Sequence, residues 1–312
     1  MPGSILPSAR KKILARVVDV VWAQWASIAP PVSAQRVAQS IVDPEALILM
    51  SLVLTDSERR LARLLAWAAK RISKLLSVQR IKNLSKNFPS GIEAALGGFA
   101  ESALTEGGDL RWRSLVLEDH AKLPRARAVD VGALPSVYEP SALMLRYRLA
   151  LGVGIKSDVM TYLVGSVGAT RTIRQITVST GYTVRAVRRA VEDLAASGLV
   201  HAVVSSPASY SVDFEAWAAL MKLGKDGVLW RDWAAAFALF AHVLAWAGDP
   251  GNAKRSPFLL STDTRDYMEA YVDAFSLNNV SPTAPRSAPG EAYLEVFLGD
   301  VQGLADRLQS LV

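Results

Sequence analysis

The stretch STGYTVRAVRRAVEDLAASGLV, residues 179–200, constrains this chain more than any other. Val184, Val187, Val191 and Leu194 fall at spacings of 3, 4 and 3, the repeat of one buried helix face. Thr183 stands where a hydroxyl can cap the first turn. Gly181 stands where a tight entry into that helix needs a positive φ, and Gly198 stands where the helix stops. At about 100° per residue, Arg185 and Arg189 point almost directly away from the apolar stripe, and Arg188 lies on its flank. The spacing therefore predicts a helix held down by valines and turned outward through arginines.

The neighbours extend the pattern. KSDVMTYLVGSV reads as a preceding helix, and TIRQITVST as a second, with Thr172 and Gln175 spaced as a capping box. After Gly198, LVHAVVSSPASYSVDF holds the one convincing β signal, two extended runs around Ser205-Ser206-Pro207-Ala208. From Val159 to Val191 there is no Asp or Glu, while Arg171, Arg174, Arg185, Arg188 and Arg189 give +5.

Helix, helix, glycine turn, arginine-bearing helix and hairpin over 155–213 resemble the winged helix-turn-helix domains of bacterial transcription regulators, the MarR-like and ArsR-like groups especially. The residues that carry the likeness are TIRQITVSTGYTVRAVRRAVEDLAASGLV, and it covers about a fifth of the chain. It implies a third helix in the DNA major groove, its N-terminal residues facing base edges. Arginine suits that position because its planar fork pairs with guanine edges or phosphates. The resemblance assigns DNA contacts to Thr172, Arg174, Tyr182, Thr183, Arg185, Arg188 and Arg189, with Ser205 and Ser206 at the wing. The wing tip, SSPAS, departs from the pattern in having no Lys or Arg. A homodimer on a pseudo-palindromic site is implied as well.

Elsewhere the pattern is helical. Apolar spacing marks helices at about 11–29, 78–87, 141–152, 214–223, 229–247, 263–276 and 291–311. Thr55 and Glu58 are spaced as a capping box opening a helix over about 56–76. Gly107, Gly108, Pro124, Gly132, Pro135 and Pro140 break the periodicity, so residues 106–140 read as a connector. The expected organisation is a mainly α chain. It has an N-terminal helical domain (1–105), the connector (106–140), a winged helix-turn-helix with a small β-hairpin (141–213) and a C-terminal helical region (214–312).

Charge divides the chain unevenly. Residues 1–191 hold 27 Lys/Arg and 14 Asp/Glu, whereas 192–312 hold 8 and 15. A balance of +13 against −7 points to one part that meets a polyanion and one that does not. Residues 56–90 add nine bases, Arg59, Arg60, Arg63, Lys70, Arg71, Lys74, Arg80, Lys82 and Lys86, against Asp56 and Glu58. They fit either a second nucleic-acid surface or the wet side of two amphipathic helices. Asp266, Glu269 and Asp273 share a helix face and read as solvated, His242 as a hydrogen-bonded core residue and His201 as structural.

The chain has no cysteine, which removes disulfides, thiolate zinc sites and cysteine nucleophiles. Its three histidines are far apart, and no P-loop, GxSxG or HExxH is present. No catalytic residue, metal site or cofactor is therefore assigned, and no enzyme activity is expected. The greasiest run, Trp233 to Ala247, has 15 residues where a membrane span needs about 20. It is read as a buried helix, no membrane partner is expected, and the expected compartment is the cytoplasm. The function these residues favour is a sequence-specific transcriptional regulator acting on double-stranded DNA. Two others fit the same residues: a winged-helix interaction module without DNA binding, and a toxin–antitoxin or defence-type component with chemistry in the N-terminal helices.

Overall fold

A computed structural model of the chain describes residues 5–29, 38–121, 135–203, 206–283 and 289–312. It is mainly helical with one small three-stranded antiparallel sheet. The N-terminal helices are α1 (Ile5–Ile28), α2 (Pro44–Leu54), α3 (Leu61–Arg71), α4 (Val78–Ser85) and α5 (Ile92–Thr105). Then come α6 (Leu143–Leu151), α7 (Ile155–Val164), β1 (Arg171–Thr172), α8 (Ile173–Thr180), α9 (Val184–Ala196), β2 (His201–Val203), β3 (Ser209–Ser211) and α10 (Phe214–Met221). The C-terminal helices are α11 (Trp233–Gly248), α12 (Pro257–Ser276) and α13 (Gly290–Gln309).

Two apolar cores organise these elements. The larger joins α1–α5 to α11–α13, with Trp25, Trp67, Phe99, Trp112, Phe237, Phe240 and Phe297 buried in it. Eleven of the sixteen residues of α11 are buried, so this helix is surrounded on nearly every side. It packs on α1, α2 and α12, while α1 also lies along α13. The N- and C-terminal helical regions, separate in the sequence reading, thus share one interior. A periodic pattern shows that a face is apolar but not which distant helix will cover it.

The smaller core belongs to α6–α10 and the sheet, around Met144, Tyr147, Met160, Leu163, Ile176, Val187, Val191 and Tyr210. The sheet runs in the order β1–β3–β2, with Arg171 opposite Tyr210 and His201 opposite Ser211. Two residues of β1 were too few to give an alternating signal. Ile41 and Trp233 link the two cores: the Ile41 amide donates to Leu229 O at 3.0 Å, and Trp233 Nε1 donates to Ile41 O at 2.9 Å.

Several helix ends differ from the sequence reading. No capping box forms at Thr55 and Glu58, because α2 runs on to Leu54 and residues 55–60 turn. Thr55 Oγ1 donates to Leu52 O at 2.8 Å instead, and Glu58 accepts from Arg60 Nε, also at 2.8 Å. α11 starts at Trp233 rather than near 229, with Asp232 accepting from the Ala235 amide at 3.1 Å. α12 starts earlier than expected, at Pro257, behind a Ser256 cap. Inside the expected connector, residues 110–115 form a 3-10 turn that buries Trp112 against Phe99. Among the described residues no helix is long and apolar enough to cross a membrane.

Candidate nucleic-acid interface

The site grows from the α8–α9 turn. Thr172 caps α8 in the expected box: its hydroxyl accepts from the Gln175 amide at 3.3 Å, and its own amide donates to Gln175 Oε1 at 2.9 Å. Gly181 ends α8 at φ 74°, the left-handed value that favours glycine. A Cβ there would also lie 3.0 Å from Leu84 Cδ2. Thr183 then caps α9, its hydroxyl accepting from the Ala186 amide at 3.4 Å.

α9 buries Val187, Ala190, Val191 and Leu194 and exposes Arg185, Arg188 and Arg189. Val184 is the exception to the sequence stripe. It is 50% exposed, because the first helical position projects beyond the α7 and α8 surfaces that cover the later turns. Arg174 is also exposed, on the first turn of α8. Among the described residues nothing forms an ion pair with Arg174, Arg185 or Arg188. The acids of α9 come only in its second half, where Asp193 meets Lys156 at 2.8 Å. The hydrogen bond from Lys156 holds the Asp193 carboxyl below its ordinary range.

The remaining residues assigned from the sequence divide. Ser206 is exposed at the hairpin tip, and Ser205 lies outside the described residues. Tyr182 turns its hydroxyl inward, donating to Asp158 Oδ2 at 2.8 Å and lying 3.3 Å from Ser77 Oγ. Burial, reinforced by Asp158, pushes its phenol above the ordinary range.

That hydroxyl reaches a buried charge cluster which the sequence reading missed. Arg80 Nη1 donates to Asp43 Oδ1 at 2.6 Å and Glu45 Oε2 at 2.8 Å, and its Nε donates to Thr180 O at 2.7 Å. Arg148 Nη1 donates to Glu45 Oε1 at 2.6 Å, and its Nε donates to Asp158 Oδ1 at 2.8 Å. Both guanidinium groups and all three carboxylates are buried. Burial works against the charge on Asp43, but Arg80 outweighs it and holds that carboxyl below its ordinary range. Arg148 is pushed well above its ordinary value in spite of burial, by Asp158 first and Glu45 next. The cluster ties α2 and α4 of the larger core to α6, α7 and the α8–α9 turn of the smaller one. Its signal was a lone Glu in PEALILMSLVL and Arg148 in LMLRYRLAL, charges inside apolar runs that need partners.

A cleft of about 410 Å³ opens beside the cluster, between Val78 and Gln79 of α4, Gly154 and Ile155 of α7 and Ala186 of α9. Three helices begin here, so their partial positive ends share one mouth, and the one base in its lining is Arg111, paired with Asp109 at 2.7 Å. Of the nine bases in 56–90, eight are exposed and Arg80 is buried. Asp266, Glu269 and Asp273 are exposed on α12, and His201 is exposed too. His242 is half-buried, 3.2 Å from Asn87 O, and burial lowers its pKa. Among the described residues no group of three His, Cys, Asp or Glu could hold a metal ion.

No protein family, no curated protein and no solved structure significantly matches the chain.

Proposed function

We propose that residues 155–213 form a winged helix-turn-helix that binds double-stranded DNA, and that the chain is a sequence-specific transcriptional regulator. The observation that carries this reading is the outward row Arg185, Arg188 and Arg189 on a helix whose opposite side is buried. Arg185 and Arg188 have no ion-pair partner among the described residues and Arg189 has only the attraction of Asp193, so the leading turns of the helix offer a net positive face that suits a polyanion. A DNA major groove is wide enough to admit such a helix, and arginine pairs there with guanine O6 and N7. The order α7, α8, glycine turn, α9, hairpin supports the same reading. So does the balance of +13 over residues 1–191. Arg174 and Thr183 would stand at phosphates, whereas Thr172 and Tyr182 would serve DNA binding through the geometry they hold. Such a regulator works in the cytoplasm, as a homodimer on a pseudo-palindromic site.

The test is binding to a site chosen by selection from random duplexes, with single and triple Arg→Ala variants at 185, 188 and 189. A lost base contact costs about 1–3 kcal/mol and relaxes sequence preference, while a lost phosphate contact weakens all sequences alike. Thermal stability should hold, since the three side chains lie outside the core. A triple variant that binds as tightly as the parent overturns the reading.

A further inference from the structure

α4 grips the α8–α9 turn from the side of the larger core. Arg80 Nε donates to Thr180 O, Asn83 Nδ2 donates to Gly181 O at 3.3 Å, and Leu84 packs on Gly181. Val78 and Gln79 face Ala186 of α9 across the cleft. On α4, Lys82 and Lys86 follow Val78 at intervals of four residues, so they continue the face that borders the cleft. Both are exposed. On α9, Arg185 and Arg189 fall within about a quarter-turn of Ala186, on the opposite rim. Residues 78–88 contain no Asp or Glu, and the one arginine among them is consumed by Asp43 and Glu45. The one base that lines the cleft itself, Arg111, is paired with Asp109; by helical spacing the α4 face beyond the cleft continues into lysines and the α9 face into arginines, and buried contacts hold the two helices together.

We propose that the α4 face bearing Lys82 and Lys86 is a second phosphate-binding surface for the duplex that α9 reads. This rests on the DNA-binding reading above and adds a part to it: the backbone strand flanking the α9 groove crosses the cleft and runs along α4. Lysine fits this task as a point charge that neutralises phosphate without reading sequence.

The experiment measures affinity of the full chain for a 30-base-pair duplex across a range of KCl concentrations. The double variant Lys82→Gln with Lys86→Gln is compared with Arg63→Gln with Lys70→Gln, exposed bases on α3. Each neutralised phosphate contributes about 0.9 to the slope of log affinity against log salt. The α4 variant should therefore lose about 1.8 from that slope, with sequence preference and melting temperature kept, while the α3 variant matches the parent. An α4 variant with the parent's slope overturns the inference. If the triple arginine variant still loses binding, the α9 reading stands. A parent chain that binds no DNA at low salt overturns both. Equal slope losses in the α3 and α4 variants also overturn it, because the effect is then general charge and not a surface beside α9.

Discussion

Arg80 and Arg148 on one side, and Arg185, Arg188 and Arg189 on the other, are the same residue used in opposite ways a short distance apart. The first two are fully buried, each shared between two carboxylates. The other three are exposed and lack acids of their own on the first two turns of α9. Charge in the interior is held by close and complete pairing, so removing one of those arginines leaves buried carboxylates short of a partner. Charge on the helix surface stays in water: among the described residues Arg185 and Arg188 have no ion-pair partner, and Arg189 has only the attraction of Asp193 one turn on. The pair of sites also sits in series. The buried cluster holds Thr180 and Tyr182, and they set where α9 begins.

The largest expected effect is on the buried side. Arg148→Ala removes five hydrogen bonds, two to Glu45, two to Asp158 and one to Leu75 O. Glu45 keeps Arg80, but among the described residues the Asp158 carboxylate keeps a single hydrogen bond, from the Tyr182 hydroxyl. Breaking a buried pair from one side costs about 3–5 kcal/mol. Denaturant unfolding of parent and variant should show a loss of that size. A loss under about 1 kcal/mol, the range of surface pairs, would erase the contrast between the two arginine sets.

A buried carboxyl with no guanidinium hydrogen-bonded to it among the described residues sharpens the comparison. Asp232 caps α11 with Oδ1, while its Oδ2 has no hydrogen-bond partner among the described residues. Burial, opposed by the α11 amide, reinforced by repulsion from Asp43 and opposed again by the weaker attraction of Arg80, pushes its pKa up to about 7. The folded chain then holds a proton there that the unfolded chain has lost by about pH 4–5. Stability from this group accordingly falls as pH rises from that range to about 7, the reverse of a carboxylate paired with arginine. Asp232→Asn keeps the cap without the charge. It should be more stable than the parent at pH 8, by an amount on the order of a few kcal/mol, and should match it near pH 4. Melting curves at the two pH values test this, and an Asn variant that is less stable at pH 8 removes the argument.

These contrasts mark what could be seen in the sequence. The α8–α9 unit was legible down to Thr172, Gly181, Thr183 and Gly198, because caps, a left-handed turn and a short apolar repeat are local properties. The exposure of Arg185, Arg188 and Arg189 followed from the same repeat. Arg80 was not legible as a buried residue, since it lies among exposed bases and its partners Asp43 and Glu45 are more than thirty residues away. Tyr182 was placed by its neighbours in the turn, yet the direction of its hydroxyl depends on Asp158 and Ser77, which no local pattern brings to it. The shared core of the chain's two ends was hidden for the same reason. Helical periodicity gives α1, α11 and α13 apolar faces, and their pairing is a long-range matter.

Tyr182→Phe carries the smallest effect and the finest test, because this residue stands between the two sites. The ring keeps its packing, and only the hydroxyl is lost. Asp158 retains both hydrogen bonds from Arg148, and Ser77 Oγ still accepts from the Arg80 amide at 3.2 Å. A hydrogen bond to a charged group is worth about 1.5–3 kcal/mol, and a carboxylate that stays paired should place the cost at the lower end. DNA affinity measured well below the melting temperature should equal that of the parent, since the hydroxyl faces Asp158 and not the outer surface of α9. A variant with unchanged stability and weakened DNA binding would mean that the hydroxyl turns outward to meet the duplex. The α8–α9 turn would then be a part that moves on binding, and the buried cluster would no longer be what fixes the start of α9.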